Sequence, residues 1–290
     1  MTIREALSLS PNLPRLDREV LLSHSIVQDR IFLVAHDETN LTPVQEKQYR
    51  GLLYRATKHE PIAYILEEKE FYGRNFSVGS GVLIPRPETE LLVEQALKYI
   101  LPITNTKKRI AIVDVGTGTS AIITSIFLSS KPSQRKNISW FAIDNDALAL
   151  SYARRNAKRH GVAASIRFVK SDLLKKIAKP LREYDEIFVI ANLPYLSRSL
   201  YKSTAPNVLG YEPKNALVSG IDGLVHYRRL LSELQTLHAA GIETHFFFEI
   251  SPEQAKKIPS LLFGHSHIAT LEIVLDLAGK ARVVIGNFGI

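Results

Sequence analysis

Cysteine is absent from the 290 residues, which rules out a disulfide framework and any thiolate metal site and suits a reducing compartment. No apolar run approaches the eighteen or so residues that would mark a membrane-spanning helix. The opening Met1-Thr2-Ile3-Arg4-Glu5 lacks the basic stretch, apolar core and small-residue cleavage site of a secretory leader. The expectation is a cytoplasmic chain that neither enters nor crosses a membrane. Internal repeats and low-complexity tracts are also missing. What remains is ordinary globular composition, 45% hydrophobic and 23% charged, with length enough for one large domain and a small one. The net charge of +8 leaves room for a nucleic acid or ribosome-associated partner. However, the basic groups are scattered: Lys107 to Arg109, then Arg154, Arg155, Lys158 and Arg159, then Lys175, Lys176, Lys179 and Arg182. Such a distribution equally describes solvated faces.

Residues 1–61 read as helix only. Leu16, Val20, Val27 and Ile31 are spaced for one apolar face. A second helix is announced by Thr42-Pro43-Val44-Gln45, in which threonine caps, proline takes the first helical position and glutamine closes a capping box. Val44, Tyr49, Leu52, Leu53 and Ala56 form its apolar side, and Pro61 ends it by disfavouring helical geometry at Glu60. Residues 62–85, with glycines at 73, 79 and 81, suit a hairpin linker. Residues 86–290 alternate helix and strand, with strands near 110–114, 139–144, 166–170 and 186–191, and so predict an α/β domain built on a mostly parallel sheet. Runs at 271–276 and 281–286 are joined too closely for a parallel crossover and predict an antiparallel hairpin. Lys131 to Arg135 reads as a surface loop.

The first parallel strand runs into Asp114-Val115-Gly116-Thr117-Gly118-Thr119-Ser120. Glycines at a strand-to-helix turn let a backbone approach a nucleotide, although the same turn serves any doubly wound fold. The next strand ends at Asp144, where a carboxylate can accept from both hydroxyls of a ribose. The alternative, a helix cap, suits Asp146 better. Asp172, after the third strand, can accept from an adenine amino group or simply serve a turn. The fourth strand delivers Asn192-Leu193-Pro194-Tyr195 to the crevice where ligands of such sheets bind. An amide or aromatic amine nitrogen is a poor nucleophile because its lone pair is delocalised. If the Asn192 side-chain oxygen and the Leu193 carbonyl each accept one N–H of such a group, its lone pair is aimed at a methyl donor, and orientation does most of the catalytic work. Pro194 stiffens the turn and Tyr195 can pack on the planar group. No metal is needed.

With these residues in place, the chain resembles the HemK/PrmC release factor glutamine methyltransferases over nearly its whole length. The resemblance rests on Pro61-Ile62-Ala63-Tyr64, Phe71-Tyr72-Gly73, the string Leu83-Ile84-Pro85-Arg86-Pro87-Glu88-Thr89-Glu90, the glycine turn, Asn192 to Tyr195, Tyr211-Glu212-Pro213, Gly220 with Asp222-Gly223, and Asp276 to Gly279. It implies a Rossmann-like class I S-adenosylmethionine-dependent methyltransferase domain of seven strands, the last antiparallel, behind a helical module that recognises a protein partner. It implies a monomer that methylates N5 of the glutamine in the Gly-Gly-Gln motif of peptide chain release factors and releases S-adenosylhomocysteine. On that basis Gly116, Thr117, Gly118, Thr119, Ser120, Asp144, Asp172, Leu173 and Asn192 hold the cofactor. Arg86, Pro87, Thr89 and Glu90 join Asn192, Leu193, Pro194 and Tyr195 on the substrate side. By their own physics Glu88 and Glu90 are first-turn acids complementing a helix dipole. Two positions depart from the family. Leu193 stands where a first proline is usual, and Ser120 replaces a third glycine, tolerable if its φ is negative. The same turn would serve an adenine-N6 or cytosine-N4 methyltransferase acting on nucleic acid, and the two departures would also suit an inactive cofactor-binding interaction protein.

Overall fold

The computed structural model describes residues 1–102, 107–258, 261 and 268–289. The chain opens with short helices, Ile3–Ser8, Arg15–Ile26, Arg30–Ala35 and Pro43–Thr57. Thr42 caps the last of these through Gln45, with Pro43 in its first turn, as the residue order predicts. The apolar face of the helix Arg15–Ile26 differs from expectation. Val27 adopts a left-handed φ of 57° and stops that helix at Ile26, which breaks the periodicity linking Leu16 to Ile31. Leu16, Val27 and Ile31 are exposed, Val20 is half-buried, and Leu21, Leu22 and Ile26 supply the buried row. They pack against Tyr49, Leu53 and Ala56, while Val44 faces solvent. Residues 62–66 also differ. Pro61 opens a further helix, Ile62–Leu66, and Ile65 is buried in the same core.

The hairpin is correspondingly short, β1 (Glu68–Phe71) and β2 (Arg74–Ser77). Tyr72 and Gly73, with φ of 52° and 70°, form its two-residue turn, the twist-compatible choice for a tight hairpin. Glu90 Oε1 accepts from the Tyr72 N–H at 2.9 Å and ties this turn to the helix Glu90–Ile100.

Seven strands form the main sheet: β3 (Ile110–Val115), β4 (Ile138–Asp144), β5 (Ile166–Lys170), β6 (Glu186–Ala191), β7 (Glu243–Glu249), β8 (Ile268–Leu275) and β9 (Ala281–Phe288), in the order β5-β4-β3-β6-β7-β9-β8. The first five are parallel, and β9 runs antiparallel to both β7 and β8. The strands expected from sequence fall where predicted, and β7 joins them. Every residue of β3 and β6 is buried, as continuous apolar runs require when helices cover both faces. Alternation by two divides the core. Ala111, Val113, Ile187, Val189, Phe246 and Phe248 face the helix Val225–His238. Ile110, Ile112, Phe188, Ile190 and Phe247 face the helices Glu90–Ile100 and Ala121–Ser129. Each large side chain so buried contributes about 1.5–3 kcal/mol. The Lys131 to Arg135 stretch contains a single tight turn, Pro132–Arg135, that lengthens the β3-to-β4 connection and places Asp144 twenty-six residues after Gly118.

Candidate active site

The strands β3, β4 and β6 end side by side, and their carboxyl ends open into a cleft of about 1040 Å³, counting the space at its mouth. The glycine turn forms one wall. Gly116 and Gly118 have φ of 76° and 53°, accessible to glycine at little cost. The Gly116 and Thr117 amides both donate to the Ile143 carbonyl at 2.8 Å, which fastens the turn to β4. Asp144 holds the next piece: Oδ2 accepts from the Gly118 N–H and Oδ1 from the Asp146 N–H, each at 2.9 Å. Burial raises its pKa above the usual carboxylate value, opposed by those two amides. Asp146 caps the helix Ala147–Arg159 through the Leu148 N–H, leaving Asp144 at the cleft.

Ser120 departs from the condition placed on it. Its φ is +61°, in the left-handed region where glycine carries no steric penalty. The fully buried side chain offsets that strain, with Oγ donating to the Ala153 carbonyl at 3.1 Å and lying 3.2 Å from the Thr124 hydroxyl. Below the turn, Asp114 accepts from the Thr117 hydroxyl at 2.7 Å and is pushed up to about 7 by burial.

The Asn192 turn, which follows the neighbouring strand β6, forms the adjoining wall. Asn192 Nδ2 donates to Thr89 Oγ1 at 3.0 Å, and among the described residues nothing donates to Asn192 Oδ1 or to the Leu193 carbonyl. The Leu193 N–H donates to the Tyr227 hydroxyl at 3.2 Å, and that hydroxyl donates in turn to the Glu249 carbonyl. The backbone is thus pinned at the position where the family usually has proline. Leu193 is buried against the glycine turn, so closely that a Cβ on Gly116 would stand 3.0 Å from its Cδ2. The Tyr195 carbonyl accepts from Gln254 Nε2 at 3.3 Å, and Gln254 also binds the Gly223 carbonyl at 2.8 Å.

Of the residues singled out from sequence, Arg86, Thr89, Gly116 to Thr119, Asp144, Asp172, Leu173 and Asn192 to Pro194 line this one cleft. Pro87, Glu90, Ser120 and Tyr195 do not. Pro87 is exposed at the start of a short turn, Glu90 is engaged with the hairpin, Ser120 lies beneath the glycine turn, and Tyr195 packs on the core below. Asp172 Oδ2 accepts from Lys175 Nζ and from Arg229, each at 2.6 Å, and these cations, Lys175 foremost, hold the carboxyl below its ordinary range. Leu173 is buried with φ +51°. Arg86 pairs with Glu212, whose other oxygen accepts from the Ile84 N–H at 3.2 Å, so one buried acid fixes the Ile84 to Arg86 segment. Sequence reasoning gave no structural part to Asn156, Tyr227, Gln254 or Glu249. Asn156 is fully buried and joins β2 to the glycine turn, accepting from the Ser77 N–H at 2.7 Å and donating to the Ser77 and Thr119 carbonyls. Among the described residues, one group with metal-ligand character, Glu186, Glu243 and His245, lies at the other end of the sheet. The Lys108 ammonium already sits between its two acids.

A mostly parallel seven-stranded sheet with one reversed strand, carrying a glycine turn beside an Asn-x-Pro-Tyr turn, defines a class I methyltransferase domain. The PrmC N-terminal domain family matches residues 3–66 and the RMKL-like methyltransferase domain family residues 91–209. The release factor glutamine methyltransferase of Bacillus cereus is 34% identical over 92% of this chain and 90% of its own, and that of Coxiella burnetii 34% identical over 99% and 96%. The chain belongs to the release factor glutamine methyltransferase family. Among solved structures, the hMettl16 catalytic domain, in complex with MAT2A 3'UTR hairpin 6, superposes with a TM-score of 0.51 at 15% identity, over 82% of this chain and 92% of that one. A likeness at that identity shows the fold alone. No described helix is long and apolar enough to cross a membrane.

Proposed function

We propose that this methyltransferase transfers the methyl group of S-adenosylmethionine to N5 of the glutamine in the Gly-Gly-Gln motif of a peptide chain release factor. The observation that carries the reading is the pair of unfilled acceptors, Asn192 Oδ1 and the Leu193 carbonyl, on a buttressed turn that lines the same cleft as the glycine turn beside it.

The cleft suits the cofactor. Positive φ at Gly116 and Gly118 allows close backbone approach, Asp144 brings a carboxylate for ribose hydroxyls, and Leu173 and Ile122 supply apolar wall. Gly116 to Thr119, Asp144, Asp172, Leu173 and Asn192 would hold it, with Ser120 supporting the turn from below. Bound there, S-adenosylmethionine supplies an electrophilic methyl group on a sulfonium. Asn192 Oδ1 and the Leu193 carbonyl would accept the two N–H bonds of the glutamine amide and orient its nitrogen lone pair. As positive charge develops on that nitrogen both hydrogen bonds strengthen, so this turn binds the transition state better than the ground state. Pro194 keeps the turn rigid, and Arg86, held by Glu212, lines the substrate side. Proteins of the family named for release factors cover nearly all of this chain, helical module included, which favours a protein substrate.

The deciding experiment incubates the protein with labelled S-adenosylmethionine and either a release factor or RNA, and locates the label by mass spectrometry. A mass increment equal to one labelled methyl group on the Gly-Gly-Gln glutamine is expected. Label on RNA adenine or cytosine, or none on either, would refute the proposal.

A further inference from the structure

The turn after β5 brings Ser171, Asp172 and Leu173 to the cleft, and the helix Val225–His238 packs beside that turn. Residues three, four or seven apart share one face of a helix. On that face Glu233 accepts from the Leu174 N–H at 2.8 Å and Arg229 donates to Asp172 Oδ2 at 2.6 Å. His226, one turn nearer the N-terminus of the helix, lines the cleft itself. It lies outside the motifs on which the family resemblance rests.

The His226 ring is held in place and in one proton state by Ser219. The Ser219 side chain is fully buried, and its Oγ accepts from the His226 backbone N–H at 3.1 Å and lies 2.6 Å from His226 Nδ1. Among the described residues, Nδ1 is the only acceptor that the Ser219 proton meets, and a buried hydroxyl needs one. With Nδ1 accepting, the neutral imidazole carries its proton on Nε2. Burial, and after it the Arg229 guanidinium, hold the ring below its ordinary pKa against the pull of Asp172, which favours that neutral form. His226 therefore offers the cleft one N–H donor. Asp172 offers the complement: its Oδ2 is taken by Lys175 and Arg229, and among the described residues nothing donates to Oδ1.

A donor next to an acceptor matches an edge of adenine, where the amino group donates and the ring nitrogen beside it accepts. We propose that His226 is a specificity-determining residue of the cofactor site, its Nε2–H donating to the adenine ring nitrogen that flanks the amino group while Asp172 Oδ1 accepts from the amino group itself. The pair selects adenine over hypoxanthine, whose oxygen at the same place would face the Asp172 carboxylate, acceptor against acceptor. Ser219 is the positioning residue, because it decides which ring nitrogen of His226 bears the proton. This inference rests on the S-adenosylmethionine reading given above.

The test is calorimetric. It measures Kd for S-adenosylmethionine, S-adenosylhomocysteine, the 1-deaza and 7-deaza forms of S-adenosylhomocysteine, and S-inosylhomocysteine, in wild type and in His226→Leu. Wild type should bind S-inosylhomocysteine about tenfold or more weakly than S-adenosylhomocysteine. His226→Leu should raise Kd for S-adenosylhomocysteine about tenfold, or about 1.4 kcal/mol. Of the two deaza forms, the one lacking the contacted nitrogen should bind wild type about tenfold more weakly than the parent and lose nothing further on His226→Leu, because the bond is already gone. Four results would each overturn the inference and leave the cofactor reading standing: unchanged affinity in His226→Leu, the same loss for every ligand in that variant, parental affinity of wild type for both deaza forms, or no discrimination by wild type against S-inosylhomocysteine. Absence of S-adenosylmethionine binding to the wild-type protein overturns that reading and the inference with it.

Discussion

Ser120 stands where the family has glycine, in a backbone conformation that favours glycine, and the structure assigns a magnitude to that exchange. Relieving the left-handed strain by Ser120→Gly gains about 1 kcal/mol. Against this, glycine frees the unfolded chain, which costs about 0.4–1 kcal/mol. The hydrogen bond to the Ala153 carbonyl and the contact with the Thr124 hydroxyl are also lost from a site with no solvent, at about 1 kcal/mol or more. The expected result is net destabilisation of about 1 kcal/mol. Ser120→Ala keeps the strain and loses the same bonds, so it should fall within about 0.5 kcal/mol of Ser120→Gly. The chain has a single tryptophan, Trp140, buried in β4 on the sheet beside this turn, so its fluorescence during urea unfolding reports this domain rather than the helical module. A Ser120→Gly protein more stable than wild type by 1 kcal/mol or more would refute the reasoning, because it would mean that the serine hydrogen bonds contribute nothing and the turn is merely strained.

Asp144→Ala should weaken S-adenosylmethionine binding by about 1–3 kcal/mol, measured by calorimetry, since it removes the proposed ribose acceptor together with the group that holds the Gly118 N–H; equal affinity would take Asp144 out of the site. Leu193→Pro restores the family residue but deletes the N–H that donates to Tyr227, and should fold with kcat within about tenfold of wild type, roughly 1.4 kcal/mol; a loss of several orders of magnitude in a folded protein would show that the turn depends on that hydrogen bond. Gly223→Ala should be severe, because φ is +81° and the new Cβ would stand 2.2 Å from the Tyr195 carbonyl oxygen. We expect turnover lowered about a hundredfold or more through displacement of the Asn192 turn, and wild-type kcat/KM in that variant would refute the buttress.

The parts of this protein that sequence makes legible are those whose physics is local or wholly apolar. Strands β3 and β6 read clearly because burial on both faces demands uninterrupted apolar runs. The Thr42 cap and the Gly116 turn read clearly because their signals lie within a few residues. Strand β7 escaped because Glu243, His245 and Glu249 punctuate Phe246 to Phe248 and hide a buried run behind charge. The face of Arg15–Ile26 was misplaced because spacing alone cannot register the left-handed residue at Val27. Something similar holds at the site. Asn192 and the glycine turn carry a motif because they face the ligand, yet Thr89 meets Asn192 across 103 residues and Tyr227 meets Leu193 across 34. Tyr227, Gln254 and Glu249 face inward, so their positions read as core, and only their polar tips betray them. A buried polar tip needs a partner, and in this fold the Tyr227 hydroxyl and the Gln254 amide find the Leu193 N–H and the Tyr195 carbonyl, the backbone on which the geometry of the Asn192 turn depends. Residues that touch substrate can therefore be named from sequence, but the residues that make them effective emerge only when each buried hydrogen bond is followed to its other end.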